Sequence, residues 1–160
     1  MKKILLSIAA LLTALGGGYS ITQMGARNYV PSQVVLDSVT AATTSTTLPT
    51  GYMTKDFRHV IFAVETTANA TATIKFVGSI QDNPMDPTAT STITNQWDYI
   101  AVTDLQNGAG INGDTGVTFS GTNDHRMFEA EINALSWVMP IITSYTTGTI
   151  NVSIIGASNL

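Results

Sequence analysis

Cysteine is absent from the 160 residues of the chain. Its absence excludes disulfides, thiolate metal sites and thiol-based catalysis, so stability depends on the burial of apolar surface or on partner subunits. Proline is sparse, with five residues. Two of them, Pro84 and Pro87, lie in residues 81–94, a stretch whose composition is typical of a long loop.

Charged side chains are also scarce. They make up 11% of the chain, about half the share that is typical of soluble domains. Acidic residues outnumber basic ones by 11 to 7, which gives a net charge of −4. The basic residues Lys55, Arg58, Lys75 and Arg126 are scattered along the chain, so we expect no nucleic-acid partner.

Motifs for catalysis are missing as well. The sequence contains neither a G-x-S-x-G nucleophile elbow nor an H-E-x-x-H zinc motif. Its two histidines, His59 and His125, are far apart in the chain. Glu129 and Glu131 are two residues apart, so a strand places both on one face, which we expect to be solvated. We therefore predict that the chain is not an enzyme, needs no cofactor and takes no small-molecule substrate.

Short runs of Val, Ile and Thr, in which apolar and polar residues alternate, are abundant and predict β-strands. Two hairpins are predicted, one from residues 58–66 and 71–80 and the other from residues 137–144 and 149–157. In the second hairpin Gly148 supplies the positive φ that such a turn usually needs. Further strands are predicted at residues 33–40, 97–103, 117–119 and 126–132.

Roughly eight strands separated by turns predict an all-β fold, an antiparallel β-sandwich or jelly roll in a single domain. We assign this domain to residues 52–160. Residues 19–51 are predicted to be an extended arm with one strand, and residues 1–18 an apolar N-terminal segment, helical if it is retained.

The N-terminal segment begins with Lys2 and Lys3, and an apolar run follows over residues 4–15 in which only Ser7 and Thr13 are polar. A basic start, a short apolar run and small residues after it are typical of a secretory signal peptide. The same pattern also fits a retained helix that docks onto a partner. A membrane-spanning helix needs ~20 apolar residues, so the run is too short to span a membrane comfortably. If it is a signal peptide, we expect only transient membrane contact. The sequence leaves both interpretations open.

Several apolar and aromatic side chains are candidates for contacts between subunits. They are Ile4, Leu5, Ile8, Leu11, Leu12, Leu15, Trp97, Tyr99 and Trp137. Trp97 and Tyr99, on one face of a predicted strand, also suit a carbohydrate-binding platform, since aromatic rings stack on sugars as well as on protein partners.

A weak calcium-binding signal lies in a glycine-rich loop. Asp104, Asn107, Asn112 and Asp114 offer the oxygen donors that Ca²⁺ prefers. Their spacing is not that of an EF-hand, and Asp, Asn and Gly are also the ordinary residues of turns. We therefore expect turns in this loop, with a calcium site as the alternative.

Four segments near the C-terminus resemble a small β-domain found among virion proteins of tailed phages. They are N-Q-W-D-Y-I-A-V-T-D-L at residues 95–105, I-N-G-D-T-G-V at 111–117, F-E-A-E-I-N-A-L-S-W-V at 128–138 and I-T-S-Y-T-T-G-T-I-N-V at 142–152. The resemblance extends more loosely to residues 58–80. It implies a capsid-decoration, head-fibre or tail-associated protein that is assembled in many copies, and it carries over no catalytic or binding residue.

The sequence therefore favours a structural protein located in the virion, whose partners are copies of itself and other virion proteins. Two alternatives remain. The first is a secreted bacterial surface or filament subunit with a cleaved signal peptide, and the second is a carbohydrate-binding module.

Overall fold

The computed structural model describes residues 32–44, 49–84 and 96–157. The predicted N-terminal helical segment lies outside these residues, as does about half of the predicted arm, residues 19–31 and 45–48. The described ranges contain eight strands: β1 (Gln33–Val39), β2 (Tyr52–Met53), β3 (His59–Ser79), β4 (Asp98–Tyr99), β5 (Val102–Asp104), β6 (Gly110–Ile111), β7 (Val117–Glu131) and β8 (Trp137–Ala157). No helix occurs within the described ranges.

All eight strands belong to a single antiparallel sheet. The central order is β1-β8-β3-β7-β5-β6, while β2 pairs with the start of β8 and β4 with the end of β3. The prediction of an all-β antiparallel fold is confirmed. The jelly-roll interpretation finds no support, because a jelly roll divides its strands between two sheets.

The three long strands, β3, β7 and β8, all bend near the middle of β3. The register between β3 and β8 shifts between Thr67 and Thr71, and the register between β3 and β7 shifts between Thr66 and Ala70. At this level Ala68 and Asn69 have φ angles of 55° and 54°, values that few residues other than glycine adopt. The irregularity is a bulge that bends the sheet.

The bend brings the two halves of β3 face to face. The rings of Phe62 and Phe76 lie 4.4 Å apart between centroids, whereas a straight strand would separate these residues by about 46 Å. The first layer contains residues 59–66 of β3, 124–131 of β7 and 149–157 of β8, together with β1, β5 and β6. The second layer contains residues 71–79, 117–122 and 137–147, together with β2 and β4.

Both predicted hairpins are therefore wrong in their pairing. The chain bends where the turns were expected, at residues 67–70 and near Gly148, but the two arms of each segment do not pair with each other. Each arm pairs instead with the matching half of another long strand: residues 59–67 with 149–157, and residues 71–79 with 137–147. The physical reason is that a bulge adds residues to one strand without ending its ladder.

The core lies between the two layers. It is built from the inward-facing residues of β3, β7 and β8, and its largest fully buried side chains are Phe62, Phe76, Phe119, Phe128, Ile74, Ile132, Ile142, Ile150, Ile154, Val60, Val64 and Val138. Phe76 also contacts Phe128, with ring centroids 5.7 Å apart. Because side chains alternate along a strand, the neighbours of these residues cover the outer faces of the two layers.

Candidate functional site

The outer face of the first layer presents polar side chains on three adjacent strands. Val60, Phe62 and Val64 point into the core, so the residues between them point outward. Glu65 of β3 lies opposite His125 of β7 and Asn151 of β8. These three side chains stand at one end of a shallow depression of about 220 Å³ whose floor includes Ala63 and Ser153.

Glu65 is the centre of this group. Its carboxylate lies 3.6 Å from His125 Nε2 and accepts a hydrogen bond from Asn151 Nδ2 at 3.4 Å. The His125 side chain is 76% exposed. A second pair, His59 Nδ1 and Glu129, lies 3.2 Å apart at the other end of the same face. Pairs as exposed as these stabilise a protein by less than ~1 kcal/mol.

An ion pair between a partly exposed arginine and a buried aspartate lies beneath this face. Arg126 has the same strand parity as Phe128 and therefore faces the core, where its guanidinium group lies 5.1 Å from the Phe128 ring and 5.8 Å from the Phe119 ring. Its Nη2 donates to a carboxylate oxygen of Asp104, whose side chain is 1% exposed. The Asp104 carboxylate also accepts the N–H of Gln106 at 2.9 Å.

The pair joins β5 and the loop after it to β7. The hydrogen bond from Arg126 holds the pKa of Asp104 below its usual value of 3.8, against the opposing effect of burial and with help from the Gln106 N–H. Nε of Arg126 is buried with no hydrogen-bond partner in the described part of the chain. Such a pair is costly to break, because the remaining charge stays desolvated.

The pH dependence of stability follows from this pair. Since the pKa of Asp104 is lower in the folded state than in the unfolded chain, the stabilisation is complete above 3.8 and decreases as the pH falls toward the folded-state value. We expect the stability difference between the wild type and Asp104→Asn to narrow in acid. Urea unfolding from about pH 6 to about pH 2 measures it. A difference that stays constant over this range would contradict the assignment.

The residues proposed for calcium lie in this region, and three of their four side chains are engaged in other contacts. Asp104 is engaged with Arg126. Asn107 Oδ1 accepts the N–H of Ala109, and Asn112 Oδ1 accepts the N–H of Asp114, each at 2.8 Å. These are the side-chain-to-backbone bonds of ordinary Asx turns. Within the described residues, no group of three or more His, Asp or Glu side chains is placed to hold a metal ion.

The three aromatic interface candidates lie on the outer face of the second layer. Trp97 is 8% exposed and packs with Val77, Met139 and Ile141, against which Trp137 also packs. Trp137 Nε1 donates to the carbonyl of Asp82 at 3.0 Å. Tyr99 is 39% exposed, with Lys75 Nζ 4.3 Å from its ring centroid. Trp97 and Tyr99 therefore do not form a shared exposed platform.

The remaining interface candidates, Ile4, Leu5, Ile8, Leu11, Leu12 and Leu15, lie outside the described residues. In the ranges that are described, no helix is long and apolar enough to cross a membrane.

Sequence reasoning missed the role of Arg126. The signal was the alternation along residues 126–132, where Phe128, Ala130 and Ile132 occupy the inward positions and Arg126 continues their series. A charged residue at an inward position predicts a buried partner. The sequence did not show that this partner is Asp104, because the two residues come from different strands.

These observations define the class of the protein: an all-β domain made of one antiparallel sheet folded into two layers around an aromatic and aliphatic core. No protein-family model matches the chain, and no curated protein matches it either. Among solved structures, the fold is similar to the crystal structure of the SPBc2 prophage-derived protein YomS. The TM-score is 0.60 at 16% sequence identity, over 84% of this chain and 97% of that chain. The likeness therefore concerns the fold.

Proposed function

We propose that the chain is a non-enzymatic structural protein of a phage particle, assembled in many copies through its folded β-domain and attached to its neighbours by its N-terminal segment. The observation that carries the proposal is the likeness to a prophage-derived protein over nearly the full length of that protein. The resemblance of residues 95–105, 111–117, 128–138 and 142–152 to phage virion domains points in the same direction.

The surface of the second layer suits contact between copies. Its outer face carries Thr71, Thr73, Thr118, Ser120 and Ser144, residues of three adjacent strands that the register brings together. The hydroxyl groups of Thr73 and Thr118 lie 3.1 Å apart and bond to each other. Neutral hydroxyl groups cost less free energy to remove from water than charged groups do, so a neighbouring subunit can cover this face cheaply.

The proposal is tested on purified particles. A tagged copy of the chain is expressed during infection, and its copy number per particle is measured by quantitative mass spectrometry and located by immunogold electron microscopy. We expect many copies per particle at a regular position. A chain that is absent from particles and is found instead in the culture medium or on the cell surface supports the secreted-subunit alternative and overturns the proposal.

Deletion of residues 1–18 is expected to abolish incorporation but not folding. The buried core residues of the described structure all come from residue 35 onward, so the truncated chain keeps its core. We expect the β-sheet signal of the circular dichroism spectrum to be retained, and at least a tenfold loss of incorporation in competition with the full chain.

Ser7→Ala is the matched control, because it changes the same segment without reducing its apolar character, and it is expected to incorporate normally. Normal incorporation of the truncated chain would contradict attachment by this segment. Mass spectrometry of the native N-terminus gives an independent result, since a mature chain that begins near Gly17 would show that the segment is removed.

A further inference from the structure

The outer face of the first layer has an apolar centre. Three of its large hydrophobic side chains are strongly exposed: Val34 at 59%, Met127 at 56% and Leu105 at 44%. The register places Val34 opposite Ser153 and Met127 opposite Ala63, while the Leu105 N–H bonds to the Met127 carbonyl at 2.9 Å. We call the following set the outer band: Val34, Ile61, Ala63, Leu105, Met127 and Ile155.

The outer band has the dimensions of a short helix. It runs across β1, β8, β3, β7 and the end of β5, which is four inter-strand steps or about 19 Å. The apolar run of residues 4–15 contains 12 residues, and as a helix it would be about 18 Å long. An exposed apolar strip of this length, with polar groups on both sides, is typical of a surface that another segment covers.

The charges around the outer band complement those of the N-terminal segment. Glu65 stands on one side of it and Glu131 on the other, while Glu129 lies beside Ile61 at the end of the band's second row. Lys2 and Lys3 immediately precede the apolar run. A second copy of the band would instead bring these glutamates against glutamates, apart from the two histidines, and like charges oppose such a pairing.

A single stretch of chain connects the N-terminal apolar run to the edge of the outer band. Gln33 pairs with Ile154, so the chain enters β1 beside Ile155, at one edge of the outer band. Residues 16–31 join this point to Leu15, and these 16 residues reach about 53 Å when extended. A tether of this length gives the segment a high effective concentration at the band of its own molecule, which favours it over a segment from another copy.

We propose that residues 4–15 cover the outer band of the same molecule while the subunit is free. The inference rests on the proposed function, because attachment to a neighbour requires that this segment is retained. It gives the segment a binding site before assembly, where the apolar run and the outer band shield each other from water. On incorporation into a particle, the segment leaves the outer band and binds a neighbouring subunit.

Disulfide cross-linking tests the inference. Because the chain has no native cysteine, only the introduced cysteines can form a disulfide. The full chain carrying Leu11→Cys and Ala63→Cys is purified as free subunit and oxidised mildly. The matched control carries Leu11→Cys and Ser120→Cys, since Ser120 is an exposed strand residue on the outer face of the other layer. We expect the first pair to form an intramolecular disulfide at least tenfold faster, as measured by non-reducing gels and mass spectrometry of the linked peptides.

Equal rates for the two pairs, or disulfides that link only separate molecules, would overturn the inference. The second outcome would assign the outer band to a segment from another copy. Neither outcome depends on particles, so both are distinguishable from a failure of incorporation, which would instead count against the proposed function. Met127→Asp in the first pair is expected to reduce the cross-linking rate at least fivefold, because it places a charge in the outer band.

Discussion

Asp104→Asn is expected to destabilise the domain by about 3 kcal/mol. The substitution keeps the size of the side chain and leaves an oxygen that accepts the Gln106 N–H, but it removes the charge that faces Arg126. The Arg126 guanidinium would remain between the Phe119 and Phe128 rings, largely desolvated and uncompensated. Urea unfolding at neutral pH, followed by tryptophan fluorescence, measures the loss.

The control for this prediction is Asp114→Asn, which removes a carboxylate from an exposed position in the same region of the chain. Its effect is expected to stay within about 0.5 kcal/mol. The double variant Asp104→Leu with Arg126→Met should recover most of the loss, since replacing both ions by apolar residues removes the unpaired charge. If Asp104→Asn and Asp114→Asn had equal effects, the pair would not anchor β5 to β7.

Gly148→Ala is expected to destabilise the domain by about 2–5 kcal/mol, the sum of a left-handed backbone penalty and an overpacking penalty. Gly148 has a φ of 94°. A Cβ atom at this position would lie 2.3 Å from Ala70 Cα and 2.7 Å from Ala70 N. Since the atoms that it would meet include backbone, no side-chain rotation relieves the contact, and the bend of β3 would have to open.

Gly108→Ala separates the two contributions. Gly108 also has a positive φ, 73°, but a Cβ there would meet nothing within 4 Å. We therefore expect a loss of about 1 kcal/mol from the backbone penalty alone. Thermal unfolding of both variants gives the comparison. A Gly148→Ala variant as stable as Gly108→Ala would show that the close approach to Ala70 does not hold the folded sheet in place.

Some features of the structure at Gly148 could be predicted from the sequence and others could not. The glycine and its positive φ were predicted correctly. The end of the strand at this position was not, because β8 continues through Gly148, and neither was the pairing partner of each arm. A local pattern of turn residues is the same whether the chain reverses and pairs with itself or bends and continues along another strand, so only the pairing of β8 with β3 distinguishes the two.

The polar positions show a similar division. The outward direction of Glu129 and Glu131 follows from strand alternation, and Glu131 is exposed while Glu129 is partly exposed. The contacts of Asp104 and Glu65 follow from no local pattern. Asp104 was grouped with nearby Asn and Asp residues because they are close in sequence, but its carboxylate binds Arg126 of another strand.

The sequence by itself determined the class of fold, because alternation and β-branched composition act over a few residues and need no knowledge of distant partners. It also excluded disulfides and thiol chemistry, because the chain contains no cysteine. Only the tertiary structure decided that the strands form one folded sheet, that Arg126 pairs with the buried carboxylate of Asp104, and that an apolar band lies exposed between charged side chains. Each of these depends on register between strands far apart in the chain, and register is an energetic outcome of the whole core.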